Sequence, residues 1–144
     1  MDTKIQTLLD GKGHDVYSIQ SSQMVFEAIT EMDLKNVGAL IVKDGEQVVG
    51  ILTERDYLRK VMLRGRSSKE TEVKAIMTSN LVSIAPERTV EEAMRVMTDE
   101  RCRHLPVFKN GQLVGILSIG DLVKAIIASQ EFEIQILQDY ISGR

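Results

Sequence analysis

Two short segments carry side chains that could do chemistry together, Thr53-Glu54-Arg55-Asp56 and Ser118-Ile119-Gly120-Asp121. In each, a hydroxyl precedes a carboxylate by three residues. At the start of a helix that spacing has a plain use, because the hydroxyl caps the first turn and the acid complements the helix dipole, together worth about 1 kcal/mol. It also has a binding use. Helix-start amides and a hydroxyl can hold a phosphate, while the carboxylate accepts hydrogen bonds from both hydroxyls of a ribose. Capping alone is met by any Ser, Thr, Asp or Asn, yet hydroxyl, spacing and acid recur together behind Gly50-Ile51-Leu52 and Gly115-Ile116-Leu117.

A phosphate needs cations, and Arg55, Arg101, Arg103 and His104 are those near the two motifs. Each charge-assisted bond contributes roughly 1.5–3 kcal/mol. Arg101 and Arg103 equally suit a solvated face before a strand, and His104 suits a structural histidine at a buried strand start. Arg66 and Lys69 lie in a polar stretch and read as solvated. Cys102 lies between two arginines, which would favour its thiolate and a redox role, but the reading preferred is a small, half-buried residue at a strand entrance. Little else suggests reactivity. His14 sits in a Gly/Lys-rich turn, His104 has no nucleophile beside it, and two His with one Cys offer no metal cluster. The expectation is a chain that is not an enzyme and holds no metal.

The elements that position these residues come in two copies. A shift of 65 residues lays Gly50 to Thr53 on Gly115 to Ser118, Asp56 on Asp121, Ser18-Ile19 on Ser83-Ile84, Val25 on Val90, Ala28 on Ala93 and Met32 on Met97. Each copy is too small to bury its apolar face well alone, so the pair is expected to form one pseudo-symmetric α/β domain. The hydrophobic period switches in the order β-α-β-β-α. Ser18-Ile19 and Leu81 to Ile84 form entry strands. Val25, Ala28, Ile29, Met32 and Val90, Ala93, Met94, Met97 mark amphipathic helices. Thr89 with Glu92 supplies a capping box to the second helix, whereas Met24 leaves the first to Ser21, Ser22 or a weaker cap. Hairpins follow through Asp44-Gly45 and Asn110-Gly111, out of register by one residue and so expected to differ. Closing helices run over 54–63 and 119–129. Short helices at Ile5, Leu8, Leu9 and at Val73, Ile76, Met77 introduce the copies. The resulting division is 1–63, a linker over 64–71, 72–129, and a helical tail over 130–144.

Length and composition bound the rest. With 144 residues, 43% hydrophobic and 27% charged, the chain has an ordinary globular balance, and aromatics make up only 4%. The core is therefore aliphatic. A net charge of −3 without basic residues interleaved with aromatics argues against nucleic acid. Apolar runs as short as Ala39 to Val42 and the start Met1-Asp2-Thr3-Lys4 predict neither a membrane span nor a secretion signal, and a lone cysteine suits a reducing, cytoplasmic setting.

Five motifs resemble one family: Asn36 to Val42, Gly50 to Asp56, Ile76-Met77-Thr78, Arg103 to Val107 and Gly115 to Asp121. Together, from about Leu8 to Ile127, they resemble a tandem pair of cystathionine-β-synthase (CBS) domains of the bacterial and organellar CBS-pair kind. The resemblance implies two β-α-β-β-α repeats packed sheet to sheet about a pseudo-two-fold axis, with clefts between them that take AMP, ADP, ATP, NAD or S-adenosylmethionine. AMP is the first expectation. It implies that Asp56 and Asp121 bind ribose, that Thr53 and Ser118 face phosphate with Arg55, Arg103 and His104 nearby, and that adenine lies against Ile19, Ser83-Ile84, Gly38-Ala39-Leu40 and His104-Leu105-Pro106. Gly120 in place of Arg55 and Met24 in place of Thr89 make the two sites unequal. The expected function is a regulatory, signal-transducing homodimer acting on an unidentified protein. A redox-linked regulator using Cys102 and a ligand-free dimerisation scaffold are the alternatives.

Overall fold

The structure is a computed structural model and describes residues 3–142. It comprises helix α1 (Ile5–Lys12), strand β1 (Ser18–Gln20), α2 (Val25–Lys35), β2 (Ala39–Asp44), β3 (Gln47–Thr53), α3 (Glu54–Tyr57), α4 (Val90–Glu100), β4 (His104–Lys109), β5 (Gln112–Ser118) and α5 (Ile119–Ile141). The chain forms two compact units, one running from Val16 to Leu81, the other joining the segment through Asp15 to the chain from Val82 onward.

In the Val16–Leu81 unit, β1 pairs parallel to β2 and β2 pairs antiparallel to β3. Ile19, Leu40, Val42 and Leu52 from the sheet meet Val25, Ala28 and Met32 from α2 in a buried cluster that also takes Val61, Val73 and Ile76. Helix α3 passes into a π-helical turn over Leu58–Met62, so the expected 54–63 helix exists but is bulged. The element before the second copy is a single 3-10 turn, Val73–Ala75, rather than a helix, because Thr78 pairs with Ile51 and draws the chain into an extended path.

In the other unit, β4 and β5 form an antiparallel pair whose cluster of Leu105, Val107, Leu117, Val90, Ala93, Met97 and Leu122 includes Ile5 and Leu9 of α1. The expected strand over Leu81 to Ile84 shrinks to one parallel bridge, Ile84 to Val107. Pro106 explains the loss. In the first copy the Ile41 amide donates to the Tyr17 carbonyl, and at the position 65 residues later Pro106 has no N–H to give Val82.

The compact units thus cross the boundaries expected from sequence order, since α1 packs with the second copy and 73–78 with the first. Glycine makes room for both. A Cβ at Gly115 would lie 2.7 Å from Leu9 Cδ2, and one at Gly50 would lie 2.8 Å from the Thr78 carbonyl and 2.9 Å from Met77 Sδ. The close approach thus uses the gap left by the glycine of each Gly-Ile-Leu strand, most strictly at Gly50, where the neighbour is backbone.

Local signals mostly act as their chemistry dictates. Thr89 caps α4 by accepting from the Glu92 amide at 3.1 Å, but Glu92 pairs with Arg88 instead of closing the box. Met24 gives α2 no side-chain cap, and the first amides of that helix donate to the Thr71 and Ser68 carbonyls. The hairpins differ as expected: the left-handed residues are Asn110 and Gly111 in one, Gly45 alone in the other. Helix α5 runs unbroken through the expected tail boundary near residue 130.

Candidate functional site

Both hydroxyl–carboxylate motifs sit where a strand becomes a helix, and both close a full capping box. The Thr53 hydroxyl accepts from the Asp56 amide at 3.1 Å and the Asp56 carboxylate accepts from the Thr53 amide at 3.0 Å. In the second copy the matching distances are 3.2 and 2.8 Å for Ser118 and Asp121. The plain structural use of these residues is therefore real. The first helical amides are engaged as well, Glu54 donating to the Gly38 carbonyl at 3.0 Å and Ile119 to that of Arg103 at 2.9 Å. In each motif the amide left for an anion among the described residues is the second helical one, at Arg55 or Gly120.

The two acids differ beyond this shared frame. Asp56 is 7% exposed, and both its oxygens are in use. Oδ1 accepts from Thr78 at 3.2 Å and lies 3.0 Å from Lys60 Nζ, while Oδ2 takes the Thr53 amide and hydroxyl. Asp121 has a more accessible side chain, and its nitrogen donors converge on Oδ2, the Ser118 amide at 2.8 Å and Lys12 Nζ at 2.7 Å. Oδ1 takes neither. Burial by itself would raise the Asp121 pKa, but the Lys12 ammonium with the Ser118 amide and hydroxyl outweighs it and holds the carboxyl below its usual value.

Gly120 sharpens the difference. A Cβ there would meet only Ser118 Oγ, at an ordinary 3.6 Å, so packing does not demand glycine. Its absence of a side chain bares the second helical amide, where the first copy carries Arg55.

The other expected residues fall into the same two groups. Ladder pairing sets Ala39 opposite Thr53 and His104 opposite Ser118, with Leu40 and Pro106 following inward. Leu40, Ile19 and Ile84 are core side chains, so only their backbones could meet a ligand. The Ile84 backbone is already bonded to Pro106 and Phe108, while the adjoining Ser83 is exposed and its backbone is unengaged among the described residues. Arg55 and Arg103 are exposed; Arg101 is left-handed at the α4 C-terminus, its amide on the Met97 carbonyl. Thus Ile19, Gly38, Ala39, Leu40, Thr53, Arg55 and Asp56 share one unit, and Ser83, Ile84, Arg103, His104, Pro106, Ser118 and Asp121 the other.

Cys102 is the half-buried strand-entrance residue of the plainer reading. Its thiol pKa is raised, first by burial and then by Glu100, so the flanking arginines do not produce a reactive thiolate. Three residues on the acids had no assigned role in the sequence. Lys60 stands four residues after Asp56, a helical pair that spacing reveals. Thr78 closes a noted motif, and Lys12, 109 residues before Asp121, leaves no local signal. A concavity of about 500 Å³ between β1 and α2, lined by Gln23, Phe26, Glu27 and Glu31 among others, shares only Ile19 with the expected site.

Comparison with known proteins identifies the family. The CBS-domain model matches residues 13–63 and 73–128. The chain is 49% identical over 124 residues to CBS domain-containing protein CBSX3, mitochondrial, of Arabidopsis thaliana, a match covering 83% of this chain and 60% of that relative's length. A solved CBS-domain protein of Burkholderia ambifaria MC40-6 superposes with a TM-score of 0.86 at 45% identity, covering 89% of this chain and 96% of the other. A hexameric CBS-CP12 protein from bloom-forming cyanobacteria superposes with a TM-score of 0.76 at 31% identity, covering 85% and 71%. With both copies matched, the chain belongs to the CBS-domain family and is a CBS-pair regulatory module.

Proposed function

We propose that the protein is a non-catalytic sensor of adenine nucleotides, with AMP the first candidate and ADP, ATP or NAD as alternatives, and that the second copy carries the principal site. The observation that carries this is the contrast between the two acids. Asp121 keeps Oδ1 clear of its nitrogen donors, beside the bare Gly120 amide and the Ser118 hydroxyl, whereas Asp56 is enclosed and bonded at both oxygens. A ribose diol supplies two donors to the carboxylate, and the phosphate takes the Gly120 amide at the positive end of a helix 23 residues long. Arg103 and His104 supply cationic or hydrogen-bonding groups, and the unengaged Ser83 backbone meets the base edge. Signalling follows as a population shift, the ligand favouring one conformation that a partner protein recognises.

The same chain is proposed to homodimerise through α5. Val123, Ile127, Ile134, Leu137 and Ile141 fall on one a/d stripe with Gln130 at the remaining position, and all five apolar members are 42–82% exposed. The cyanobacterial relative is hexameric, so self-association occurs among its kin. Among the described residues no helix is long and apolar enough to cross a membrane. A cytoplasmic setting is proposed, with mitochondria, named for the Arabidopsis relative, as the alternative compartment.

Titration calorimetry with AMP tests the site. Wild-type protein should bind, and Asp121→Ala should bind about tenfold or more weakly, a loss near 1.4 kcal/mol. Equal affinity in both proteins would remove Asp121 from the site.

A further inference from the structure

Lys12 is the last residue of α1 and lies in the same compact unit as Asp121. Its ammonium is 2.7 Å from Asp121 Oδ2 and 2.8 Å from the Ile116 carbonyl. The same Oδ2 accepts the Ser118 amide at 2.8 Å. A cis-diol engages a carboxylate most fully with one hydroxyl on each oxygen, and Oδ2 already has two donors. One must leave. The Ser118 amide is fixed by the backbone at the helix start, so it stays; Lys12 ends a flexible chain, and its side chain is 31% exposed. Water can take the departing ammonium, and partly exposed pairs of this kind are weak.

Resting on the nucleotide assignment above, we propose that Lys12 is an internal occupant of that site. Ribose displaces its ammonium, and ligand binding is passed on as release of the end of α1. The release is local. Ile5 and Leu9 are fully buried and keep the front of the helix in the core. Beyond Lys12 the path turns at Gly13, with φ of 104°, and is then held by His14, whose Nδ1 is 2.9 Å from the Val114 carbonyl. Freeing Lys12 removes its two side-chain contacts and leaves the Gly13 amide on the Leu9 carbonyl at 2.8 Å, so the loosening is confined to 11–14.

The test compares wild type, Lys12→Met and Lys12→Arg with AMP and with adenosine, which lacks the phosphate. Lys12→Met should bind both compounds about three- to fivefold more tightly, the gain expected from removing a surface-strength competitor, while its ligand-free melting temperature falls slightly. A merely structural lysine would weaken both properties together. Lys12→Arg should stay within about twofold of wild type. Hydrogen exchange over 11–14 should speed up when AMP saturates the wild type, and should already be fast in Lys12→Met. Unchanged or weaker binding by Lys12→Met, with wild-type binding intact, overturns the displacement. Failure of wild type to bind either compound instead overturns the nucleotide assignment, and the displacement with it.

Discussion

Replacing each acid by alanine should separate the two copies by stability and by binding in opposite orders. Asp56→Ala deprives the Thr53 amide at 3.0 Å and the Thr78 hydroxyl at 3.2 Å of a charged acceptor inside a site that water barely reaches. Hydrogen bonds to charged groups are worth about 1.5–3 kcal/mol each and do not add fully, so about 3 kcal/mol is expected. Lys60 adds little, because its side chain is 44% exposed and can turn to water. Asp121→Ala removes one acceptor of a backbone amide and a partly exposed pair with Lys12, for about 1.5 kcal/mol. Against a total stability of roughly 5–15 kcal/mol, the first loss is large and the second modest. Urea denaturation of the ligand-free proteins reads the order directly, and calorimetry with AMP reads the reverse order for affinity. An Asp121→Ala protein as destabilised as Asp56→Ala, or an Asp56→Ala protein that folds and has lost AMP while Asp121→Ala keeps it, would refute the assignment of separate tasks.

The two glycines of the Gly-Ile-Leu strands should tolerate alanine unequally. At Gly50 the new Cβ meets the Thr78 carbonyl, which cannot retreat without breaking its 2.9 Å bond from the Ile51 amide; at Gly115 it meets the end of the Leu9 side chain, which can turn. Denaturation should give about 3 kcal/mol for Gly50→Ala and about 1 kcal/mol for Gly115→Ala, and the opposite order would contradict the packing described. For the α5 stripe, sedimentation should find a dimer in wild type and a monomer in the Ile134→Glu, Leu137→Glu double variant, with melting of the body little changed. A monomeric wild type at tens of micromolar would remove the proposed interface.

What the sequence revealed follows from the range of each interaction. The hydrophobic periods, the turn glycines and the three-residue spacing of hydroxyl and acid act within a few residues, and the copies, hairpins and capping boxes appear where those signals lie. Longer-range effects were not legible. Met77 and Leu9 choose their strands through glycine gaps 27 and 106 residues away, which no local pattern reports. The second entry strand carries apolar residues suited to pairing, but its partner has Pro106 at the position that must donate. For Cys102 the arginines beside it in sequence mattered less than its burial and Glu100. The expected site residues were legible as two homologous sets, and Gly120 against Arg55 already marked them as unequal; the rest of the inequality depends on Lys12, Lys60 and Thr78, of which only Lys60 is a neighbour in sequence.

The most direct test is an amide-resolved NMR titration of the full chain with AMP. The Gly120 amide should show the largest shift, with Ser118, Asp121 and Ser83 following and Arg55 nearly still at the same ligand concentration. Shifts centred on Arg55 and Asp56, or none at all at millimolar AMP, would contradict a nucleotide site built on Asp121.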